Sequence, residues 1–224
     1  EALLQVDRER ATKLCFSTGH LEMPMTSGDR SGAPLAEDLR RHNFVVQEVE
    51  IHGQAGVPSD CDALLVVGSQ RAWAEEDAAV IERYLRAGGN VGIFLNLVVL
   101  EGRIVPTGLE SVARLGGMSL PPALAVEADA DHLLPDSPPV RFRADSWNEH
   151  DITRDLRGSS MDVAMVRPVV RAEGSDVVPA TLVLSSPRAW GETGVRELLR
   201  TWTPVKEAAD ITGPLPIAMA AEVA

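Results

Sequence analysis

The sequence predicts an α/β protein with a doubly wound, mainly parallel sheet, of the flavodoxin-like or class I glutamine amidotransferase-like kind, and an α+β elaboration in its C-terminal half. Three observations predict it. Short, wholly apolar runs end at small polar turns, as buried parallel strands do. Amphipathic segments closed by glycine stops separate those runs. The two alternate as β-α-β-α-β-α through the first 120 residues, the pattern that builds a parallel sheet.

Lys13-Leu14-Cys15-Phe16-Ser17 is the first apolar run and breaks at Thr18-Gly19-His20. Leu35 and Leu39 predict a helix reaching Asn43. Phe44 to Ile51 is rich in apolar and β-branched residues but carries Glu48 and Glu50, the mixture of an edge strand. Asp62 to Val67 is a further apolar strand, ending at Gly68-Ser69-Gln70. In the next helix Glu75, Glu76 and Asp77 place negative charge at the positive end of the dipole. Val80, Ile81, Tyr84 and Leu85 form its apolar stripe, and Gly88-Gly89 stops it. Val91 to Leu95 reads as another buried strand. Thr107 and Glu110 form a capping box ahead of Leu109, Val112 and Leu115, with Gly116-Gly117 as the stop.

Beyond Pro121-Pro122 the regularity fades. Strands are expected at Val140–Phe142, Asp162–Val170, Ala180–Leu184 and Pro216–Val223, and a helix at Val195–Trp202. Pro168 and Pro179 mark edges or ends of strands. The expected organisation is a sheet core over residues 1–120. Residues 121–224 then extend that sheet and add the small elaboration within the same domain.

Composition bounds the function. Hydrophobic residues at 45% and charged residues at 24% describe a globular chain rather than a disordered one. Aromatics at 4% leave the core to Leu, Val, Ile and Ala. The 33 acidic against 21 basic residues give a net charge of -12, which repels nucleic-acid phosphates and anionic headgroups. The longest apolar stretch, Val91 to Leu100, is interrupted by Asn96 and is about half of the ~20 residues a membrane helix takes. The chain opens at Glu1 rather than Met, and is expected to be a piece of a membrane-anchored protein whose anchor lies outside it. Cys15 and Cys61 sit in or beside strands, where a small buried thiol is the plain reading. Pairing them requires Cα atoms within roughly 7 Å, which the sequence leaves open. Two cysteines without a partner cluster make no metal site, and His42, His52 and His132 lack ligand spacing and read as solvated.

Open α/β sheets bind ligands beyond the carboxyl ends of their strands, where the strand order reverses. With Phe44–Ile51 at an edge, the reversal falls between the first and third strands. Ser17, Thr18, Gly19 and His20 flank that crevice on one side, and Gly68, Ser69 and Gln70 on the other. Asn96 ends the fourth strand at the same level. These hydroxyl, imidazole and amide groups suit a small polar ligand, although the same residue types make any strand-ending turn. Neither G-x-G-x-x-G nor a P-loop is present, so no nucleotide cofactor is expected. An amidotransferase-like sheet would carry its nucleophile after the fourth strand, where the chain reads Asn96-Leu97-Val98-Val99. His150-Asp151 is either an acid/base pair or a helix start; no catalytic residue is assigned.

The succession of segments resembles a known family. Lys13 to His20, Pro58 to Gly68, and Glu75 to Leu85 followed by Arg86-Ala87-Gly88-Gly89-Asn90-Val91 resemble the GldG-like ABC-transporter auxiliary proteins, linked to gliding motility and uncharacterised ABC transport systems. His150-Asp151-Ile152-Thr153 resembles the family's H-P-I-T element, with Asp151 in place of Pro. Ser185 to Glu192 resembles T-S-P-x-S-W-A-E, and Gly213-Pro214 to Glu222 its closing G-P-x-x-x-A-V-A-x-E. Asn96-Leu97 stands where the family commonly has Asp-Pro. The resemblance spans roughly residues 12 to 224. It implies a non-catalytic, extracytoplasmic (periplasmic) domain flanked by membrane helices, partnered by an ABC permease or auxiliary membrane proteins, and binding a carbohydrate or another small polar ligand. Two other readings compete. One is an unusual hydrolase on the amidotransferase scaffold using His20 or His150, which needs an imidazole in reach of a nucleophile and a carboxylate. The other is a cytoplasmic small-molecule sensor.

Overall fold

The first apolar runs pair side by side. In this computed structural model, which describes residues 10–28, 31–52 and 56–223, β1 (Lys13–Thr18), β2 (Val45–Glu50), β3 (Ala63–Val67) and β4 (Asn90–Phe94) form a parallel sheet. Its order is β2-β1-β3-β4. The glutamate-bearing strand therefore takes an edge, and the strand order reverses between β1 and β3. β4 takes the other edge, with Phe94 62% exposed, so the expectation of a buried fourth strand is corrected.

Alternation along β1 sends its side chains to opposite faces. Leu14 and Phe16, with Val46, Leu65 and Val67, pack with Met25 and with Ala36 and Leu39 of α1 (Ala33–Arg41). The intervening Cys15, and on β3 Leu64 and Val66, are buried as well. α2 (Glu75–Arg86) buries Asp77, Ala78, Val80 and Ile81. Cys15 and Cys61 form a disulfide, with Cα atoms 5.8 Å apart. The thiol reading is thereby corrected: both cysteines are buried, but joined rather than free.

The rest of the chain departs from the predicted class. A second compact unit begins at Leu97, where the sequence placed the division near residue 120. It opens with a hairpin of β5 (Val99–Leu100) and β6 (Arg103–Ile104), followed by α3 (Glu110–Leu115). Then come β7 (Met118–Ser119), β8 (Leu124–Val126), β9 (Arg141–Ala144), β10 (Ser146–Trp147), β11 (Met161–Ala164), β12 (Val170–Arg171) and β13 (Ala180–Leu184). β14 (Trp190–Glu192), α4 (Val195–Thr201), β15 (Ile211–Thr212) and β16 (Pro216–Ala220) complete it. These strands pair among themselves, antiparallel, as β10-β13-β16, β15-β14-β8, β11-β9 and β12-β7. None joins the parallel sheet.

The doubly wound class is therefore corrected. A parallel sheet needs a crossover between successive strands, and after β4 the chain supplies short strands and turns instead. The expected Asp162–Val170 strand is broken into β11 and β12: Met165 takes a left-handed φ of 55° and Pro168 follows. The closing strand ends at Ala220 rather than Val223.

β8 organises the second unit because both of its faces are covered. Leu124 and Val126 pack with Val140, Trp190, Val195 and Leu198. Ala125, on the opposite face, packs with Phe142, Ala144, Val183 and Leu215. A strand buried on both sides carries no alternating signature, which is why this segment went unassigned.

Candidate functional site

The turns after β1 and β3 place a buried polar cluster at the strand ends. Ser17, the last buried residue of β1, donates its hydroxyl to Glu22 Oε1 at 3.0 Å, and the His20 backbone N–H donates to Glu22 Oε2 at 2.7 Å. The chain reaches this arrangement through Gly19, whose φ of 117° suits glycine. Gln70 and Arg71 donate backbone N–H groups to the His20 carbonyl at 3.1 and 3.0 Å, and Met23 N–H donates to the Val67 carbonyl at 2.9 Å. Residues 20–23 thus strap the end of β1 to the end of β3.

The His20 ring is enclosed. It stacks on Trp73, centroids 3.9 Å apart and planes 12° from parallel. Its Nε2 lies 3.1 Å from Asp77 Oδ2 and its Nδ1 lies 3.7 Å from Glu22 Oε1. Trp73 Nε1–H donates to Ser69 Oγ at 3.0 Å. His52 Nδ1 stands 3.4 Å from the same Asp77 oxygen, while its own side chain is 73% exposed. Burying two carboxylates is costly unless hydrogen bonds and charge surround them, and here backbone N–H, hydroxyl and imidazole groups do so.

Among the residues expected at the site, the fold brings Ser17, His20 and Ser69 into this cluster by their side chains. Gln70 serves it through its backbone N–H, whereas Gly68 N–H donates to the Phe94 carbonyl of β4 at 2.8 Å. Thr18 accepts Ile51 N–H with its carbonyl. Asn96 is exposed and takes no part. Sequence reasoning missed Glu22, Trp73 and Asp77. Asp77 reads as one of three first-turn acids, yet it alone of the three is buried. A tryptophan just past a strand end, in a chain with 4% aromatics, was the one signal available.

The hydrolase reading asked for an imidazole between a nucleophile and a carboxylate. Both edges of the His20 ring face carboxylates, and the Ser17 hydroxyl is bonded to Glu22 rather than to the ring. His150 Nδ1 accepts the Ile152 N–H, and Asp151 pairs with Arg154, so that segment is a local turn ahead of a 3-10 turn at Arg154–Leu156. His132, expected to be solvated, is three-quarters covered, its Nε2 3.3 Å from Asp145. Among the described residues no group of three or more His, Cys, Asp or Glu side chains could hold a metal ion.

The motif residues of the second half are structural. Ser186 donates its hydroxyl to the buried Glu127 at 2.6 Å. Ser185 Oγ accepts Leu215 N–H at 2.8 Å. Trp190 Nε1–H donates to Glu192 at 3.3 Å, and Thr153 closes its turn on the Asn148 carbonyl.

The chain is similar in fold to the solved mmIFT52 N-terminal domain. The TM-score is 0.56 at 12% identity, over 80% of this chain and 75% of that one. No family model matches the chain, and neither does any curated protein. The likeness speaks for the fold alone. No helix among the described residues is long and apolar enough to cross a membrane.

Proposed function

We propose that this chain is a binding or coupling module of a GldG-like ABC-transporter auxiliary protein, working outside the cytoplasm. One observation carries the reading. The side chains that the strand ends bring together, Ser17, His20 and Ser69, are each engaged by Glu22, Asp77 or Trp73. A cluster arranged this way holds the shape of the strand ends; it does not hold a nucleophile ready for attack. Three further features support the reading. The motif succession spans most of the chain. The buried Cys15–Cys61 disulfide fits an oxidising compartment. The net charge of -12 favours protein or small-molecule partners over polyanions.

The test is affinity purification of the tagged full-length protein from solubilised membranes of its own host. An ABC permease and its ATPase should co-purify in fixed proportion. Recovery of the protein free of any transporter subunit would overturn the assignment.

A further inference from the structure

The strand ends form a box whose walls suit a cation, and the protein has filled it with its own imidazole. Trp73 supplies a flat aromatic face, 4% exposed, against which the His20 ring lies. Glu22 and Asp77, with side chains 2% exposed, stand at opposite edges of that ring. The ring fills the box without completing it: His20 Nδ1 is buried and has no hydrogen-bond partner. Buried polar atoms are nearly always satisfied; this one faces Glu22 Oε1 from 3.7 Å, a gap that a donor with more N–H groups would close.

A guanidinium group is that donor. It is planar, stacks on indole, and carries five N–H donors around its edge, where imidazole carries at most two. It can meet carboxylates on two sides while lying flat on the tryptophan. An ammonium ion, a compact point charge, has three donors and no plane to match the indole. His52 lies 3.4 Å from the Asp77 carboxylate and is itself 73% exposed, so the cluster reaches the surface at this residue. Gly19 and Leu21 both hold left-handed backbone, φ 117° and 57°, and Leu21 is 58% exposed rather than packed.

We propose that Trp73, Glu22 and Asp77 form a guanidinium-binding site that His20 keeps closed. The proposal rests on the binding-module reading and names its ligand class. The donor is an arginine side chain or a small guanidino compound.

The experiment uses the whole chain with His20→Gly, and with His20→Ser as a second variant. Methylguanidinium is titrated while the indole N–H resonance of Trp73, identified by its loss in Trp73→Phe, is followed. Saturable movement is expected in His20→Gly, roughly tenfold or more weaker in the unsubstituted protein, and lost in His20→Gly combined with Glu22→Gln. Methylammonium should move the resonance less. A folded His20→Gly protein that ignores methylguanidinium, or that binds it no better than the unsubstituted protein, overturns the proposal. If neither variant folds in buffer, refolding yield becomes the readout. Rescue by millimolar methylguanidinium supports the site, and no rescue overturns it. Tighter binding of an acetylated Leu-Arg-Leu amide than of methylguanidinium assigns the site to a protein partner, and equal binding to a small compound. Transporter subunits that co-purify while His20→Gly ignores cations leave the module reading standing and remove only this one; the reverse outcome does the opposite.

Discussion

Glu127 shows what a single position does in this protein. Its carboxylate is 1% exposed and accepts the N–H groups of Ala128, Asp129 and Ser186 and the Ser186 hydroxyl. Such a group is stable in the interior only because donors surround it. Replacing Glu127 with Ala strands those donors and is expected to cost about 3–5 kcal/mol. The check is urea unfolding, with the midpoint falling at constant slope; a loss under ~1 kcal/mol would mean that the donors find other acceptors. At this scale the sequence was least informative. Glu22, Asp77 and Glu127 look like any surface acid in a chain with 33 of them. Only burial separates a structural carboxylate from a solvated one, and burial depends on residues far away in sequence.

Elements were more legible, because caps and periodicity use neighbouring residues. Thr107 and Glu110 hold the turn ahead of α3 rather than forming the expected capping box: Thr107 N–H and Gly108 N–H donate to the Glu110 carboxylate, and Leu109 N–H, not Glu110 N–H, donates to Thr107 Oγ1. Burial raises the Glu110 carboxyl, but these N–H groups and the Thr107 hydroxyl outweigh it and hold the group below its ordinary value of 4.5. The folded value is depressed, so the stability it contributes is complete above pH 4.5 and is lost as pH falls through the folded value. Glu110→Gln should therefore lose stability less steeply than the unsubstituted protein below that pH. Chemical denaturation at stepped pH measures it, and parallel curves would contradict it.

The disulfide belongs to the same scale. It joins β1 to the residues just before β3 across 46 positions. Closing a loop of that length restricts the unfolded chain, and the Cys15→Ala, Cys61→Ala double variant is expected to be about 2–4 kcal/mol less stable. Thermal or urea unfolding of the non-reduced protein against the double variant checks it. Equal stability would mean that native contacts already hold these strands together.

For the whole molecule, charge is the property that composition alone predicts. At -12, the chain should pass through a heparin column at physiological ionic strength. Retention there would reveal a basic patch that net charge conceals. The fold class was a different matter. Local pattern alone foretold the four parallel strands, α1, α2 and, to the residue, β13, whereas the box expected at Thr107 and Glu110 does not cap α3, whose N-cap is Leu109. Each of those elements is written in contiguous periodicity. Tertiary structure decided that the sheet stops at β4, that Leu124–Val126 pairs with Trp190–Glu192, that Cys15 meets Cys61, and that His20 lies between Glu22 and Asp77. Strands of two or three residues are too short to show a period. Their partners are chosen by which apolar segments collapse together, a competition among distant residues that no local window of sequence records.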